Sequence, residues 1–296
     1  MLAGLLRRPA RLAATAPALS SLRAASSSAT VGGALEAAVA RLPHKEALRS
    51  VKQETRWSFK ELNAIVDELA FGLHAMRFAP NDVLAVWLPN SSENWIAQLG
   101  AAKAGVTVAI IDPKVSTAEE LAFILRDCKA NALLFEPKIA GRDQTAIVQS
   151  VFPELETYRY HHALFRPKHF RSMHTVITTG IEPVEGMAHF HQFMMNSPEK
   201  NVIAALKKAA TPTTPLTVTY SSASSALVAS LKLSPEDKIL ITGEETPLPV
   251  ALLAAIETSA LVVLPSSEFD SAAVQHALKV EPCSIVGSGA SNYQRV

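Results

Sequence analysis

Residues 82–113 read DVLAVWLPNSSENWIAQLGAAKAGVTVAIIDP, and their alternation decides the fold class. DVLAVWL (82–88) is an apolar run of strand length, closed by Pro89-Asn90. VTVAII (106–111) is a second, closed by Asp112-Pro113. Between them residues 94–104 predict a helix, ended by Gly105. Strands that are apolar throughout are covered on both faces, and strands joined through a helix run parallel. The reading is therefore α/β, a mostly parallel sheet flanked by helices, with 106–111 as a buried strand.

The same grammar extends in both directions. Upstream, 34–42 predicts a short helix, and 47–51 and 54–58 predict two short strands. Ser58 followed by Glu61 has the spacing of a capping box, and Leu62, Ile65, Val66, Leu69 and Leu73 then recur on one helical face. Downstream, Thr117 caps a helix over 117–127 with Glu120 three residues on, and ALLF (132–135) is a third strand. Residues 138–215 are less regular: a helix over 147–151, a strand over 175–178, helices over 189–195 and 201–209, and a proline-marked turn at 211–215. Alternation then resumes with strands at 216–220, 238–242, 261–264 and 283–286 and helices at 250–258 and 271–280. No internal repeat is visible.

Hydrophobic residues make up 48% of the chain, enough for a sizeable core. The formal net charge of +1 provides no global field to draw nucleic acid, which is an unlikely partner. The two cysteines, Cys128 and Cys283, form no CxxC pair and read as free buried thiols. No metal site is expected. Residues 1–30 differ in kind: Arg7, Arg8, Arg11 and Arg23 are their only charges, among Ala, Ser and Leu, and the first acid is Glu36. Arg-rich, Ser-rich and acid-free is the signature of a mitochondrial presequence, which predicts a protein of the matrix or the matrix side of the inner membrane. Residues 31–296 form the folded part. No later run of apolar residues is long enough for a transmembrane helix.

Several stretches carry a family likeness. Thr55-Arg56-Trp57-Ser58-Phe59-Lys60-Glu61-Leu62 is similar to an entry motif T-Y-x-E-L. Residues 81–90 (NDVLAVWLPN) resemble G-D-x-V-x-x-x-L-P-N, and 98–113 resemble A-x-x-x-A-G followed by a strand ending in N-P. The helix over 121–130 fits the same order. Taken in order, these motifs resemble the N-terminal region of the adenylate-forming superfamily of acyl-CoA synthetases, luciferases and peptide-synthetase adenylation domains. Mitochondrial medium-chain acyl-CoA synthetases are the nearest subgroup. The likeness fades over 138–215, a divergent insert or linker region, and returns at Phe269-Asp270 and Ser284-Ile285-Val286-Gly287. The resemblance implies a partial synthetase N-terminal domain.

It also implies a phosphate loop of the form Y-S-S-G-T-T-G-L-P-K-G. In that loop glycines let backbone amides cradle the phosphates and a lysine adds charge. The matching residues here are Tyr220, Ser221, Ser222, Ala223, Ser224, Ser225, Ala226, Leu227, Val228, Ala229 and Ser230. Tyr220, Ser221, Ser222 and Leu227 keep the family letter, and Ser224 and Ser225 keep hydroxyls. The glycines have become Ala223, Ala226 and Ser230, and the lysine has become Ala229. The later motifs of the family, which hold ATP, magnesium and ribose, have no counterpart up to Val296. No catalytic residue carries over and no cofactor is expected.

The expectation is a catalytically inactive, synthetase-like mitochondrial protein, a structural or accessory subunit with protein partners in a larger assembly. The alternative is a residual AMP-dependent acyl-CoA ligase, or an acyl- or nucleotide-binding protein, using ATP and magnesium.

Other constellations read blandly. His161, His162, His169, His174, His189 and His191 lie among Arg159, Arg166, Lys168 and Arg171, and cationic neighbours disfavour a metal. The 158–191 segment reads as a solvated basic contact loop, and Tyr158, Tyr160, Phe165 and Phe170 add rings on which a partner or RNA base can stack. Gly287-Ser288-Gly289 lacks the crossover of a dinucleotide site.

Overall fold

The structure, a computed structural model, describes residues 30–159, 165–194, 197–209, 230–242, 249–287 and 293–296. Helix α1 (Val31–Arg41) starts at Thr30, whose hydroxyl accepts from the Gly33 amide at 3.1 Å. Strands β1 (Glu46–Ser50) and β2 (Thr55–Ser58) form an antiparallel hairpin. Helix α2 (Phe59–Ala75) opens on the capping box expected from Ser58 and Glu61. Its Leu62, Val66, Leu69 and Leu73 are buried, while Ile65 is half-buried.

Then follow β3 (Val83–Trp87), α3 (Ser92–Ala104), β4 (Thr107–Ile110), α4 (Ala118–Asp127) and β5 (Ala132–Phe135). Gly105 ends α3 at φ +74°, a left-handed conformation that glycine adopts freely. A small hairpin, β6 (Lys138–Ile139) and β7 (Arg142–Asp143), leads into α5 (Gln144–Val151). Strands β8 (Thr175–Thr178) and β9 (Ala188–His189) precede α6 (Lys200–Ala209). The chain continues through β10 (Lys238–Ile241), α7 (Pro249–Thr258), β11 (Leu261–Leu264), α8 (Ser271–Val280), β12 (Ile285–Gly287) and β13 (Tyr293–Arg295).

The expected parallel α/β order is present, but it is divided between two sheets instead of one. The first has the order β13-β12-β10-β11-β1-β2, with parallel pairing from β12 to β1 and an antiparallel strand at each edge. The second has the order β4-β3-β5-β8-β9 and is parallel throughout. The largest core lies between them: Leu48, Ile239 and Val262 of the first sheet and Leu84, Val86 and Leu134 of the second meet apolar residues of α1, α2, α3 and α7. A second core packs Leu121, Leu125, Val148 and Phe152 of the α4–α5 region on Trp87, Leu133 and Phe135. A smaller one lies under α8, around Leu240, Val263 and Ala277.

Three expectations need correction. Strand β4 is not buried: it is the edge of the second sheet and its four residues are half-buried, because β3 covers one side only. The helix expected over 189–195 is a 3-10 turn, Phe190–Met194, with Phe190 and Phe193 three apart and both buried, the spacing of that tighter helix. Cys128 and Cys283 are free but only half-buried. Within 138–215, expected to be the less regular stretch, β8 sits beside β5 with all four residues buried.

Candidate functional site

In parallel α/β sheets the loops that leave the carboxyl ends of the strands carry ligand sites. Here those ends from both sheets converge, and a set of side-chain amides joins them. The Asn90 backbone amide donates to the Ser267 carbonyl at 2.9 Å. Its side-chain amide lies 3.4 Å from the Ile241 carbonyl and 3.5 Å from the Ser266 carbonyl, and its Oδ1 accepts from Trp95 Nε1 at 3.3 Å. Asn90 thus ties the end of β3 to the ends of β10 and β11. Asn94 donates to the Pro89 carbonyl at 2.9 Å, and Gln98 to Asn94 at 2.8 Å. Gln53, in the β1–β2 turn, donates to Glu93 at 2.9 Å and accepts from the Ser92 amide at 3.0 Å. That contact serves the start of α3, where Ser91 makes no side-chain cap.

Glu136 follows β5 at the same edge. Burial raises its carboxyl above the usual range; the Thr179 hydroxyl, which donates to it, works the other way, and Glu93 adds to the rise. His189 Nδ1 lies 3.1 Å from the Gly180 carbonyl, and its buried Nε2 has no partner among the described residues. A depression of about 500 Å³ opens at the ends of β1 and β11, lined by Lys52, Ser266, Glu268, Phe269, Asp270 and His276 among others. A second, of about 460 Å³, lies at the opposite end of β10, beside Asp237 and Arg295. There the Asp237 carboxylate is already saturated: Arg295 donates at 2.8 and 3.0 Å, Ser284 at 2.7 Å and the Ser234 amide at 2.9 Å. That arrangement is a brace between β10 and β13 and has no free group to offer a reaction.

The phosphate-loop residues Tyr220, Ser221, Ser222, Ala223, Ser224, Ser225, Ala226 and Ala229 lie outside the described residues, as does the strand expected at 216–220. In sequence they fall between α6 and β10, and Ser230 is the first described residue after them.

In the basic contact loop Arg166, Lys168 and Arg171 are exposed as expected, and the correction concerns its rings. Phe165 and Phe170 are buried and pack edge-on against Phe152, with ring centroids 5.7 and 4.9 Å away, so neither is available for stacking by a base. Tyr158 packs on Phe165. His174 is half-buried against Phe78, and burial lowers its pKa against the opposing pull of Asp82. His169 and His191 are exposed. Tyr160, His161 and His162 lie outside the described residues. Among the described residues no group of three His, Cys, Asp or Glu side chains is placed to hold a metal ion. Nor is any helix among them long and apolar enough to cross a membrane. Gly287 has a packing role: a Cβ there would meet the Tyr293 ring at 2.4 Å, so glycine lets β13 close on β12.

Sequence reasoning missed the amide bridge at Asn90 and the buried Lys103, which pairs with Asp67 at 2.5 Å and Glu36 at 3.6 Å. The Asn94–Gln98 spacing of four on a helix was the available signal for part of it.

Comparison with known proteins fits this geometry. A stretch of 129 residues is 33% identical to the mitochondrial medium-chain acyl-CoA ligase ACSF2 of Macaca fascicularis, taking in 44% of this chain and 21% of that protein. The ACSF2 of Danio rerio is 31% identical over 152 residues, 51% of this chain and 25% of its own. The matched part therefore spans 21–25% of the length of these relatives. Among solved structures, the N-terminal domain of FACL13 from Mycobacterium tuberculosis superposes with a TM-score of 0.61 at 16% identity, covering 88% of this chain and 62% of that one. The long-chain-fatty-acid-CoA ligase FadD1 of Archaeoglobus fulgidus gives 0.59 at 13% identity, covering 86% and 50%. At such identities the likeness is one of fold. The AMP-binding enzyme family matches residues 35–224, more than half of the sequence, and the chain belongs to that family.

Proposed function

We propose that this chain keeps the acyl-CoA-synthetase fold without its acyl-adenylate chemistry, and serves as a structural or accessory subunit of a larger mitochondrial assembly. One observation carries the reading: the residues at 223, 226 and 229, where the family places two glycines and a lysine, are all alanine. A backbone nest around phosphate needs left-handed residues, which cost a non-glycine residue roughly 1–2 kcal/mol each. Glycine also leaves room for amides to approach an anion closely, and alanine adds a methyl group at each such position. The first cation after the loop in sequence is Lys232, which lines the depression beside Asp237. This donor set does not fit a magnesium-bound triphosphate, and no catalytic step is derived through one. The acid-free N-terminus and the mitochondrial ligases among the relatives support the address.

The hydroxyls of Ser221, Ser222, Ser224 and Ser225 favour a second reading, residual binding of a nucleotide or acyl-adenylate. Isothermal titration of the full chain with ATP and magnesium, and with a non-hydrolysable acyl-adenylate analogue, separates the two. The expected result is no heat beyond dilution. Tight, magnesium-dependent binding overturns the inactive reading. Size fractionation of mitochondria under native conditions tests the assembly: the chain is expected to migrate with larger species, and a free monomer rejects it.

A further inference from the structure

Among the described residues the two large sheets end in four edge strands: β2 and β13 in the first, β4 and β9 in the second. Unpaired edges invite another strand, and proteins protect them with charge, brevity or bulges. Strand β2 carries the exposed Arg56, β13 carries the exposed Gln294 and Arg295, and β9 is two residues long. Strand β4 has none of these devices. Its sequence is Thr-Val-Ala-Ile, without charge or proline, and its pairing with β3 runs without a register shift. The amides of Thr107 and Ile111 donate towards the β3 side, to the carbonyls of Asp82 and Val86, at 2.8 and 2.9 Å. Alternation then turns the N–H and C=O of Val108 and Ile110 outward, and neither of these N–H groups has a partner among the described residues.

We propose that β4 is a self-pairing edge, through which two copies of the chain join antiparallel about a two-fold axis. The five-stranded sheets of the two copies become one continuous sheet. The register follows from the outward groups. Pairing Val108 of one copy with Ile110 of the other, and the reverse, uses every outward N–H and C=O of the strand in two hydrogen-bonded pairs. That register places Ala109 on the axis, facing Ala109 of the second copy in a non-hydrogen-bonded pair about 4.5 Å apart between Cα atoms. Alanine is the small side chain such close approach requires. A second copy is favoured over an unrelated segment because the arrangement is self-complementary in hydrogen bonds and in the size of the side chain on the axis. The inference is independent of the phosphate-loop reading.

The test uses the purified full chain. Sedimentation is expected to show a concentration-dependent dimer. Ala109→Cys is expected to form a disulfide-linked dimer under mild oxidation, whereas the unsubstituted chain and Thr107→Cys, whose sulfurs are held about four residues out of register, do not. Ile110→Pro removes an N–H that faces away from β3, so the dimer is expected to be lost while far-UV circular dichroism is kept. A chain that stays monomeric, or a dimer in which Ala109→Cys fails to cross-link, overturns the proposal. So does equal cross-linking by Thr107→Cys. The cysteine result stands even if the proline variant does not fold.

Discussion

Asn90 joins three strand ends that no backbone ladder connects. Its side chain reaches the carbonyls of Ile241 and Ser266 and receives the Trp95 indole. Replacing it by alanine strands a buried indole N–H and two carbonyls, at a cost of about 1–3 kcal/mol. Asn90→Ala is expected to lower the urea midpoint by that amount with an unchanged slope. An unchanged midpoint would show that the bridge contributes nothing. At this scale the sequence was half legible. Pro89-Asn90 reads as a strand-end turn, but the two carbonyls its side chain reaches lie 151 and 176 positions away, beyond any local pattern. Phe165 and Phe170 misled because Arg166, Lys168, His169 and Arg171 are interleaved with them. Those four are exposed, and the rings between them turn inward onto Phe152.

Helix α2 shows an element that is legible in full. Ser58 accepts from the Glu61 amide, Glu61 accepts from the Ser58 amide at 2.8 Å, and the apolar stripe behind them is buried. Ser58→Ala is expected to cost about 1 kcal/mol, read as a lowered melting temperature, and Ser58→Asp to restore most of it, because aspartate caps equally well. Equal losses in both variants would assign the effect to packing instead. Strand β4 shows the opposite case. VTVAII reads the same whether a strand is central or at an edge, because position in a sheet is set by which crossover lands beside it. The phosphate loop was legible only as letters. Its family resemblance names the missing glycines and lysine, and no periodicity would have done so.

At the scale of the whole molecule, the charged groups of the first sheet make its stability sensitive to acid. Burial pushes the Asp237 carboxyl up, but hydrogen bonds from Arg295, Ser284 and Ser234 outweigh it and hold the group well below the usual carboxylate range. Burial likewise opposes Lys238 and Arg49 at Glu281, and the cations win. Both groups have folded pKa values below their unfolded ones, so their stabilisation is complete above the ordinary range and is lost progressively as pH falls below it towards the depressed folded values. Glu136, raised by burial, acts in the opposite sense and loses stability as pH rises. The denaturant midpoint is expected to fall below about pH 5, and Asp237→Asn to be less stable at neutral pH with a flatter acid limb. A variant as steep as the unsubstituted chain would remove Asp237 from the account. The parallel character and the element order of the two sheets were readable in advance. Their separation was not, because it depends on β1 pairing with β11 across more than two hundred residues. That pairing also dictates an order of synthesis. Every strand of the second sheet lies between Val83 and His189 and is available as soon as that stretch leaves the ribosome. The β1–β2 hairpin has to wait for β11, and the face of α1 that packs on α7 stays uncovered in the meantime, whereas α2 already has α3 to pack on. A chain stopped before its last third is thus expected to aggregate more readily than the whole one.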